Sequence, residues 1–475
     1  MSSRLLPCAV AVAVALAVAA AVAACASNVA LGGPNTLVRI DSEPDGANCP
    51  GGGAAIHTGL DHDGDRFLDD AEIVSTQYVC NGSTSVQCSG GTILNGTIAV
   101  RSEAELSQLA GVSCIDGDLL IAGTDAPDLE DLVDLHAITG DLVIAGNPAL
   151  VSLDGLRNLQ ELGDTYLVQG NDKLTDIGAI GSLRRAGQIS IIGNDTLPDL
   201  AGLESFVNLH TVLTIANNAS LTSLRGLDNL TTTNRTITIR GNRSLTSLAA
   251  LDRLRAGVLI EISGNTSLPR IALAALQKVD GRILINTNAA ATTVELPELT
   301  TVGDFMQLNG NAALASIRAP SLLTIAGLLV TNATSLTTLS AGSLVFATTN
   351  VELQAVPRLA DVDLRELGSI GGSLLISGAP MLPDLRGFSA LRSIGNALTV
   401  TAAGALTSFS GLGALEVVSG DLTITGNAQL SSFSGLGALT EVGEDLTISG
   451  NPLLPRPTSQ AFAGSITVRG TVTIN

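Results

Sequence analysis

A unit of 22 to 24 residues recurs from about Gly117 to the end of this 475-residue chain. Each good copy ends in the pattern G-D-L-x-I-x-G-N, in which Leu and Ile alternate with small or polar residues. Self-similarity at such a period is typical of stacked supersecondary units that contact only their neighbours. One position of the unit carries Asn in most copies, and its successive occupants are Thr124, Asn147, Asn171, Asn194, Asn218, Asn242, Asn265, Asn288, Asn311, Ala333, Val356, Ala379, Ala403, Asn427 and Asn451.

The residue types of the unit predict an all-β solenoid of about 15 turns. Alternating Leu and Ile indicate a strand with one face inward, and the remaining leucines fill the bore. Gly allows corners that need a positive backbone angle. We expect the Asn column to stack at a turn, where each amide satisfies backbone groups of neighbouring coils. At about 4.8 Å per turn, the predicted rod is roughly 70 Å long.

A short helix is predicted just before the repeats. Ser102 and Glu105 form a capping-box pattern, and Leu106 and Leu109 supply an apolar face. A stack of repeats has to shield its first turn from water. We therefore expect a helix over 103–109 to act as a lid on the solenoid.

The first 24 residues have the pattern of an export signal. Arg4 is their single charge, and an almost unbroken Ala/Val/Leu run follows it. The residues V-A-A-C that end at Cys25 resemble the lipobox of bacterial lipoproteins, a resemblance that implies an acylated Cys25 and, because Ala26 is not Asp, an outer-membrane or cell-surface location. An ordinary signal peptide cut nearby and an uncleaved anchor are the alternatives. No later segment resembles a membrane span.

Composition argues against two classes of function. Without residues 1–24 the chain would keep 23 bases and 44 acids, a formal charge of −21, which makes nucleic acid a poor partner. Enzymes built on β-helices need clustered carboxylates and usually aromatic platforms for sugars. Aromatic residues are only 2% of this chain, Trp is absent and the acids of the repeats are scattered. We therefore predict no catalytic residues and treat the isolated histidines as surface or turn residues: His57, His62, His136 and His210.

Four cysteines remain once Cys8 leaves with the signal and Cys25 carries the lipid. In an exported chain four cysteines suggest two disulfides, and three connectivities are possible. Pairs that each lie inside one module are favoured, namely Cys49 with Cys80 and Cys88 with Cys114.

One acidic segment has the ligand spacing of an EF-hand loop. In D-H-D-G-D-R-F-L-D-D-A-E, acids stand at positions 1, 3, 5, 9 and 12, and a backbone carbonyl at position 7 completes an oxygen set suited to calcium. Arg66 replaces the usual Gly, and no helical pattern precedes the loop, so an acidic solvated turn without metal is the alternative. Calcium would be structural, and Leu68 would pin the loop to a small core. The predicted ligands are Asp61, Asp63, Asp65, Phe67, Asp69 and Glu72.

Two resemblances complete the domain assignment. Residues 48–82 resemble a small Cys-paired module of exported bacterial proteins, and residues 25–47 are interpreted as a tether. C-I-D-G-D-L-L-I at 114–121, with the repeats after it, resembles the receptor L domain, the leucine-rich-repeat-like right-handed β-helix of insulin- and EGF-type receptors. This resemblance covers 88–475 and implies a right-handed solenoid that binds extracellular protein ligands.

Two surface features bear on binding. The predicted outward column of the sheet is rich in Thr and ends at Thr467. The Asn column is interrupted between Ala333 and Ala403, through degeneration of the repeats or through a partner surface. The sequence thus predicts an exported, lipid-anchored protein that recognises an extracellular protein or surface polymer through its sheet face. A structural envelope component without a dedicated ligand is the main alternative, and a polysaccharide-active enzyme is a weaker one.

Overall fold

The computed structural model describes residues 36–43, 53–60, 68–80, 86–88, 90–183, 186–209 and 212–475. Contacts divide the chain into two units, Met1–Ser85 and Val86–Asn475. We call them the N-terminal unit and the solenoid unit. The predicted signal peptide, Cys25 and Cys49 lie outside the described residues.

The N-terminal unit contains an antiparallel three-stranded sheet. Its strands are Thr36–Glu43, Gly53–Leu60 and Ile73–Cys80, with the second strand in the centre and a 3-10 turn at Asp70–Glu72 before the third. Residues 36–43 were expected to belong to the tether and instead form the first strand. Their sequence T-L-V-R-I-D-S-E includes β-branched residues at alternate positions, a pattern that favours a strand.

The solenoid unit is built on one long parallel sheet, which we call the main sheet. Each strand pairs in register with the equivalent strand of the next coil, as in Leu422↔Leu446 and Ile424↔Ile448. The strands are Ile98–Val100, Leu119–Ala122, Leu142–Ala145, Thr165–Gln169, Gln188–Ile192, Leu213–Ala216, Thr236–Arg240, Leu259–Ser263, Ile283–Asn286, Thr301–Asn309, Thr324–Thr331, Val351–Gln354, Leu374–Ser377, Leu398–Thr401, Leu422–Thr425, Leu446–Ser449 and Val472–Ile474.

These seventeen strands define sixteen turns and confirm the predicted all-β solenoid. The expected alternation is present: Leu422 and Ile424 are fully buried, whereas Thr423 and Thr425 between and after them are half-exposed. One continuous apolar core of Leu, Ile and Val runs from Val100 to Phe462. Each buried aliphatic side chain contributes about 1.5 to 3 kcal/mol.

A second row of short parallel strands, which we call the second sheet, lies one corner before the main sheet, with a break between Glu161–Leu162 and Asn208–Leu209. Most of its strands have two residues, and two main-sheet strands, Thr301–Asn309 and Thr324–Thr331, extend through the corner to join it. The others are Thr92–Asn95, Val112–Asp116, Ala137–Ile138, Glu161–Leu162, Asn208–Leu209, Thr232–Thr233, Ala256–Gly257, Lys278–Val279, Phe346–Ala347, Ser369–Ile370, Ser393–Ile394, Val417–Val418, Glu441–Val442 and Thr467–Val468.

The third side of the coil has two forms. In the middle of the solenoid unit it is a parallel five-stranded sheet, with strands Arg270–Ala272, Thr293–Glu295, Ser316–Arg318, Thr338–Ser340 and Asp361–Asp363. Elsewhere it carries 3-10 turns: Glu130–Leu132, Asp154–Leu156, Gly178–Ser182, Ala249–Leu251 and Arg386–Phe388.

The local sequence explains this change of form. The middle coils contain T-V-E, S-I-R and D-V-D, whose alternation favours strands, where other coils have L-x-G-L. In L-x-G-L the glycine is required by close approach of the preceding coil. A Cβ on Gly226 or Gly435 would lie 1.9 or 2.0 Å from the backbone oxygen of Leu200 or Phe409.

The Asn column forms a buried ladder, as the sequence predicts. From Thr124 to Asn288, the backbone N–H at each position donates to the side-chain oxygen of the Asn in the next coil at 2.9 to 3.1 Å. Each side-chain amide also donates to a strand carbonyl one coil earlier, for example Asn218 to Ile191 at 3.0 Å. We call this feature the asparagine ladder.

The predicted N-terminal lid is present. An α-helix at Glu103–Leu106 continues as a 3-10 turn at Ser107–Leu109, and Leu106 and Leu109 are buried. The Ser102 hydroxyl accepts the Glu105 N–H, and the Glu105 carboxylate accepts the Arg101 N–H at 2.6 Å. A disulfide joins Cys88 to Cys114, which is one of the two pairings favoured above.

Removing this disulfide should loosen the N-terminal coils. Cys88 and Cys114 are 26 residues apart. Loop-closure entropy then corresponds to about 3.5 kcal/mol. In C88A/C114A we expect faster hydrogen exchange over 92–145, and unchanged exchange beyond 370, because repeats are coupled mainly to their neighbours. An equal increase in exchange rate along the whole solenoid unit, or no increase anywhere, would contradict this expectation.

A C-terminal cap was not anticipated. The α-helix Arg456–Ser465 interrupts the last coil, and its Phe462 ring stacks on Phe433 with centroids 4.0 Å apart. The insertion lengthens the last step, so Thr447 pairs with Thr473, and Thr467 lies in the second sheet opposite Glu441. The predicted end of the outward column at Thr467 was therefore wrong. The sequence signal for this helix was Pro455 and Pro457, which lie at its N-terminus.

Candidate recognition surface

The predicted calcium loop lies between two strands of the N-terminal unit. Asp61, Asp63, Asp65 and Phe67 fall outside the described residues. The Glu72 carboxylate, which is buried, accepts the Asp69 N–H at 3.2 Å. Leu68 is also buried, at the position expected to pin the loop.

The described histidines each contact a hydrogen-bond partner within their own unit. The His57 Nδ1 atom is 2.8 Å from the Thr76 hydroxyl, and the His136 Nδ1 atom is 2.5 Å from the Asp134 carbonyl on an exposed turn. Within the described ranges, no three His, Cys, Asp or Glu side chains converge on a possible metal position. The same residues contain no helix that is long and apolar enough to cross a membrane. His136 also lines a shallow polar pocket of ≈ 280 Å³ beside the disulfide.

The Asp of the G-D-L pattern has a structural role that sequence reasoning missed. The Asp118 carboxylate accepts the Asp141 N–H at 3.0 Å, and the Asp141 carboxylate accepts the Thr165 N–H at 2.9 Å. The same contact joins Asp421 to the Asp445 N–H near the C-terminus. These carboxylates therefore tie corners of successive coils together.

A third carboxyl group near Asp118 and Asp141 has a perturbed pKa. Burial raises the pKa of the Asp164 carboxyl, and the Asp141 and Asp118 carboxylates raise that pKa further. On the third side of the solenoid, two hydrogen bonds from the Arg365 guanidinium lower the pKa of Asp363. Neither arrangement places a nucleophile beside a base.

The outward face of the main sheet is uniform toward the C-terminus. Thr399, Thr423, Thr447 and Thr473 stand in register, and the first three are half-exposed. Thr is a good residue for an exposed strand, so this column is explained by strand propensity alone.

An exposed apolar patch interrupts this polar surface in the middle of the solenoid unit. Leu323, Val345 and Phe346 are 48%, 52% and 38% exposed. The Val345 N–H donates to the Leu323 carbonyl at 2.9 Å, and Phe346 pairs with Thr324, so the three residues occupy adjacent coils at the entry to the second sheet. We call this set the apolar patch.

The apolar patch differs from other exposed apolar residues because its members adjoin. Val151, Met381 and Leu453 are 44%, 59% and 52% exposed and lie far apart in the repeat. Threonines border the patch on the preceding coil, and Gly368 and Ser369 on the next. The patch thus has small or polar neighbours on the coils before and after it, and an apolar centre with a polar border is typical of protein interfaces.

The interruption of the Asn column has a separate explanation. Ala333, Val356, Ala379 and Ala403 are all buried in the positions that Asn holds elsewhere. Apolar side chains therefore replace the amides inside the coil and do not reach the surface. The apolar patch is only partly within this interval, since Leu323 precedes it and Val345 and Phe346 lie inside it. Exposure depends on which side of the coil a residue occupies.

A charged and aromatic pair lies on coils next to the patch. The Arg282 guanidinium is 4.9 Å from the ring centroid of Phe305, and its Nε atom is 3.2 Å from the Asp304 carboxylate. Phe305 and Phe346 are the described phenylalanines outside the core. Both thus lie in the same part of the rod, between 301 and 354.

Comparisons with known proteins add little about ligands. Residues 35–80 match the family model "Domain of unknown function (DUF7151)", which spans the three-stranded sheet of the N-terminal unit. No curated protein matches the chain.

Two solved structures align with most of the chain. One is an internalin (InlF) from Listeria monocytogenes strain 4b F2365, at 16% identity and a TM-score of 0.23, covering 78% of this chain and 88% of that one. The other is TLR13 in complex with ssRNA13, at 11% identity and a TM-score of 0.16, covering 80% and 83%. Both TM-scores lie below 0.5, so neither structure indicates what this chain binds.

Proposed function

We propose that this chain is an exported, lipid-anchored surface protein that recognises an extracellular protein through the apolar patch. The patch carries the proposal. Three contiguous apolar side chains on a solenoid whose neighbouring surface is polar gain free energy when a partner excludes water from them. A hydrated polymer offers little apolar surface for such a contact, which favours a protein.

The remaining parts of the proposal rest on the sequence. Residues 1–24 supply the export signal and Cys25 the lipid attachment, which together would hold the solenoid unit at the outer membrane or cell surface. A binding role without catalysis agrees with the isolated histidines and with acids that serve the coil corners.

Replacing the apolar patch should weaken partner binding strongly. In L323S/V345S/F346S, the loss of a central apolar cluster should weaken binding at least ~30-fold. The measurement is the amount of each extracellular protein retained on immobilised full-length chain, quantified by mass spectrometry. Melting temperature should stay close to that of the wild type, because all three side chains are exposed.

The matched control removes as much exposed apolar surface elsewhere. V151S/M381S/L453S replaces three isolated residues of similar exposure. If both variants retain equally less extracellular protein than the wild type, the retention is non-specific adsorption. Unchanged retention in the patch variant, with altered envelope integrity on deletion of the chain, would instead support a structural component.

Calcium is proposed as a structural ion of the N-terminal unit. The ligand spacing of Asp61, Asp63, Asp65, Phe67, Asp69 and Glu72 supports this proposal, and the buried positions of Leu68 and Glu72 agree with a loop held against a core. Loss of one ligand charge should weaken affinity roughly tenfold or more.

Calcium titration of the full chain by calorimetry tests this site. D63N should weaken binding, whereas D70N, which removes a neighbouring exposed acid at a non-ligand position, should not. If D70N weakens binding as much as D63N, the acidic segment attracts cations without a defined site.

A further inference from the structure

Basic residues concentrate in one part of this acidic protein. The chain has a net charge of −20, yet residues 225–282 hold nine of its 24 bases and only four acids, a local charge of +5. This segment forms consecutive coils, so its charges surround a short length of the rod. The acidic remainder of the chain repels polyanions and would confine them to this length.

Five arginines in this segment have no ion-pair partner among the described residues, and one of them, Arg253, donates to the Asn229 side-chain oxygen at 3.2 Å. Arg225, Arg270, Lys278 and Arg282 form ion pairs with carboxylates. Within the described part of the chain, no carboxylate lies within ion-pair distance of Arg235, Arg240, Arg243 or Arg255, and all four side chains are exposed. Their charge is therefore available to a ligand.

These four residues follow one another around the rod, and we call them the arginine path. Arg235 and Arg240 lie at the two ends of the strand Thr236–Arg240, so their Cα atoms are about 16 Å apart. Arg243 follows the next corner. Arg255 belongs to the next coil and precedes Val258, whose N–H donates to the Arg235 carbonyl at 3.1 Å.

The surroundings of the path leave the guanidinium groups accessible. Arg240 pairs in register with Ala216 and Ser263, whose short side chains do not cover it. Thr236 and Thr238 present hydroxyl groups between Arg235 and Arg240. Glu261 pairs with Thr238 on the neighbouring strand, and its negative charge would keep an anionic group away from Thr238.

We propose that the arginine path binds an acidic polysaccharide, a polymer that carries regularly spaced carboxylate or sulfate groups. Guanidinium groups bind such oxyanions through paired hydrogen bonds. An extended row of separated cations fits an extended polymer better than a single small anion. The residues between the arginines are not aromatic, so the path lacks the stacking platforms that single-stranded nucleic acid uses.

Heparin binding by the full-length chain tests this assignment. At about 50 mM NaCl, where screening is weak, we expect wild-type protein to bind heparin and R235Q/R240Q/R243Q/R255Q to bind at least ~10-fold more weakly. Uncharged dextran should not bind, and added salt should weaken the wild-type affinity. The patch variant L323S/V345S/F346S should bind heparin normally, which separates this proposal from the protein-recognition proposal.

A second quadruple variant controls for net charge. R157Q/R365Q/R386Q/R392Q also removes four exposed arginines, but each of these has an ion-pair partner outside the path. It should bind heparin as the wild type does. Equal loss in both variants, no wild-type binding to heparin, or tighter binding of single-stranded DNA than of heparin would each overturn the proposal.

Discussion

N218A is expected to lower the free energy of unfolding of the surrounding coils by roughly 2–5 kcal/mol, because it leaves buried polar groups without partners. Asn218 is fully buried. Its side-chain oxygen accepts the Asn194 N–H at 2.9 Å, and its amide donates to the Ile191 carbonyl at 3.0 Å. Urea unfolding, together with hydrogen exchange of 188–265, would measure the loss.

N229A is the matched control in the same coil. Asn229 is half-exposed, and its amide donates to the Glu204 carbonyl at 2.9 Å near solvent, where water can replace it. We expect a change within about 0.5 kcal/mol. Equal effects of N218A and N229A would mean that the asparagine ladder does not stabilise the coil.

The chain itself shows why Ala is tolerated at other ladder positions. Ala379 lies between Val356 and Ala403, so no neighbouring side-chain amide depends on it. Where the ladder resumes, the Ala403 N–H donates to the Asn427 side chain at 2.9 Å. The cost of Ala therefore depends on the residues that occupy the adjacent coils.

F462A is expected to open the C-terminal end of the solenoid unit. Phe462 is 8% exposed and covers Phe433, which in turn stacks on Phe409. Phe-to-Ala changes in cores cost about 3–5 kcal/mol. Because Phe462 lies at the end of the core, we expect a loss of about 3 kcal/mol in the free energy of unfolding of the last coils. This loss corresponds to at least ~100-fold faster hydrogen exchange over 422–475.

F346A provides the comparison for this substitution. Phe346 is 38% exposed, and its removal should change stability by less than about 1 kcal/mol. Exchange near residues 119–145 should be unaffected by F462A, because the effect of a terminal cap decays through neighbouring repeats. Similar stability losses for F462A and F346A would show that the C-terminal helix does not cap the core.

Much of the fold could be predicted from the repeat. The alternation in L-T-I-T at 422–425 determined which side chains face inward, and the Asn column correctly indicated a buried hydrogen-bonded ladder. These features depend only on local periodicity and on equivalence between coils. The five-stranded sheet on the third side of the coil, here called the third sheet, was missed. T-V-E at 293–295 does alternate, but three residues are too few to stand out from a leucine-rich background.

The candidate binding surfaces were harder to predict. The interruption of the Asn column between 333 and 403 was open to two explanations, degeneration of the repeats or a partner surface. The residues that replace Asn are buried, whereas Val345 and Phe346 of the same interval are exposed. Leu323 and Val345 form a patch only because they are one coil apart on the same side, which requires the register between coils. Arg255 and Arg235 are 20 residues apart in sequence, and the same register places them on adjacent coils, three to four residues apart along the chain path.

The third sheet also determines how the rod would carry a mechanical load. Between 270 and 363, neighbouring coils are joined by hydrogen bonds on three sides, whereas most other coils have 3-10 turns or irregular chain on the third side. A protein bound at the apolar patch would pull on these triply joined coils. Tension would then reach the ends of the rod through its best-connected segment, and the terminal coils would separate first.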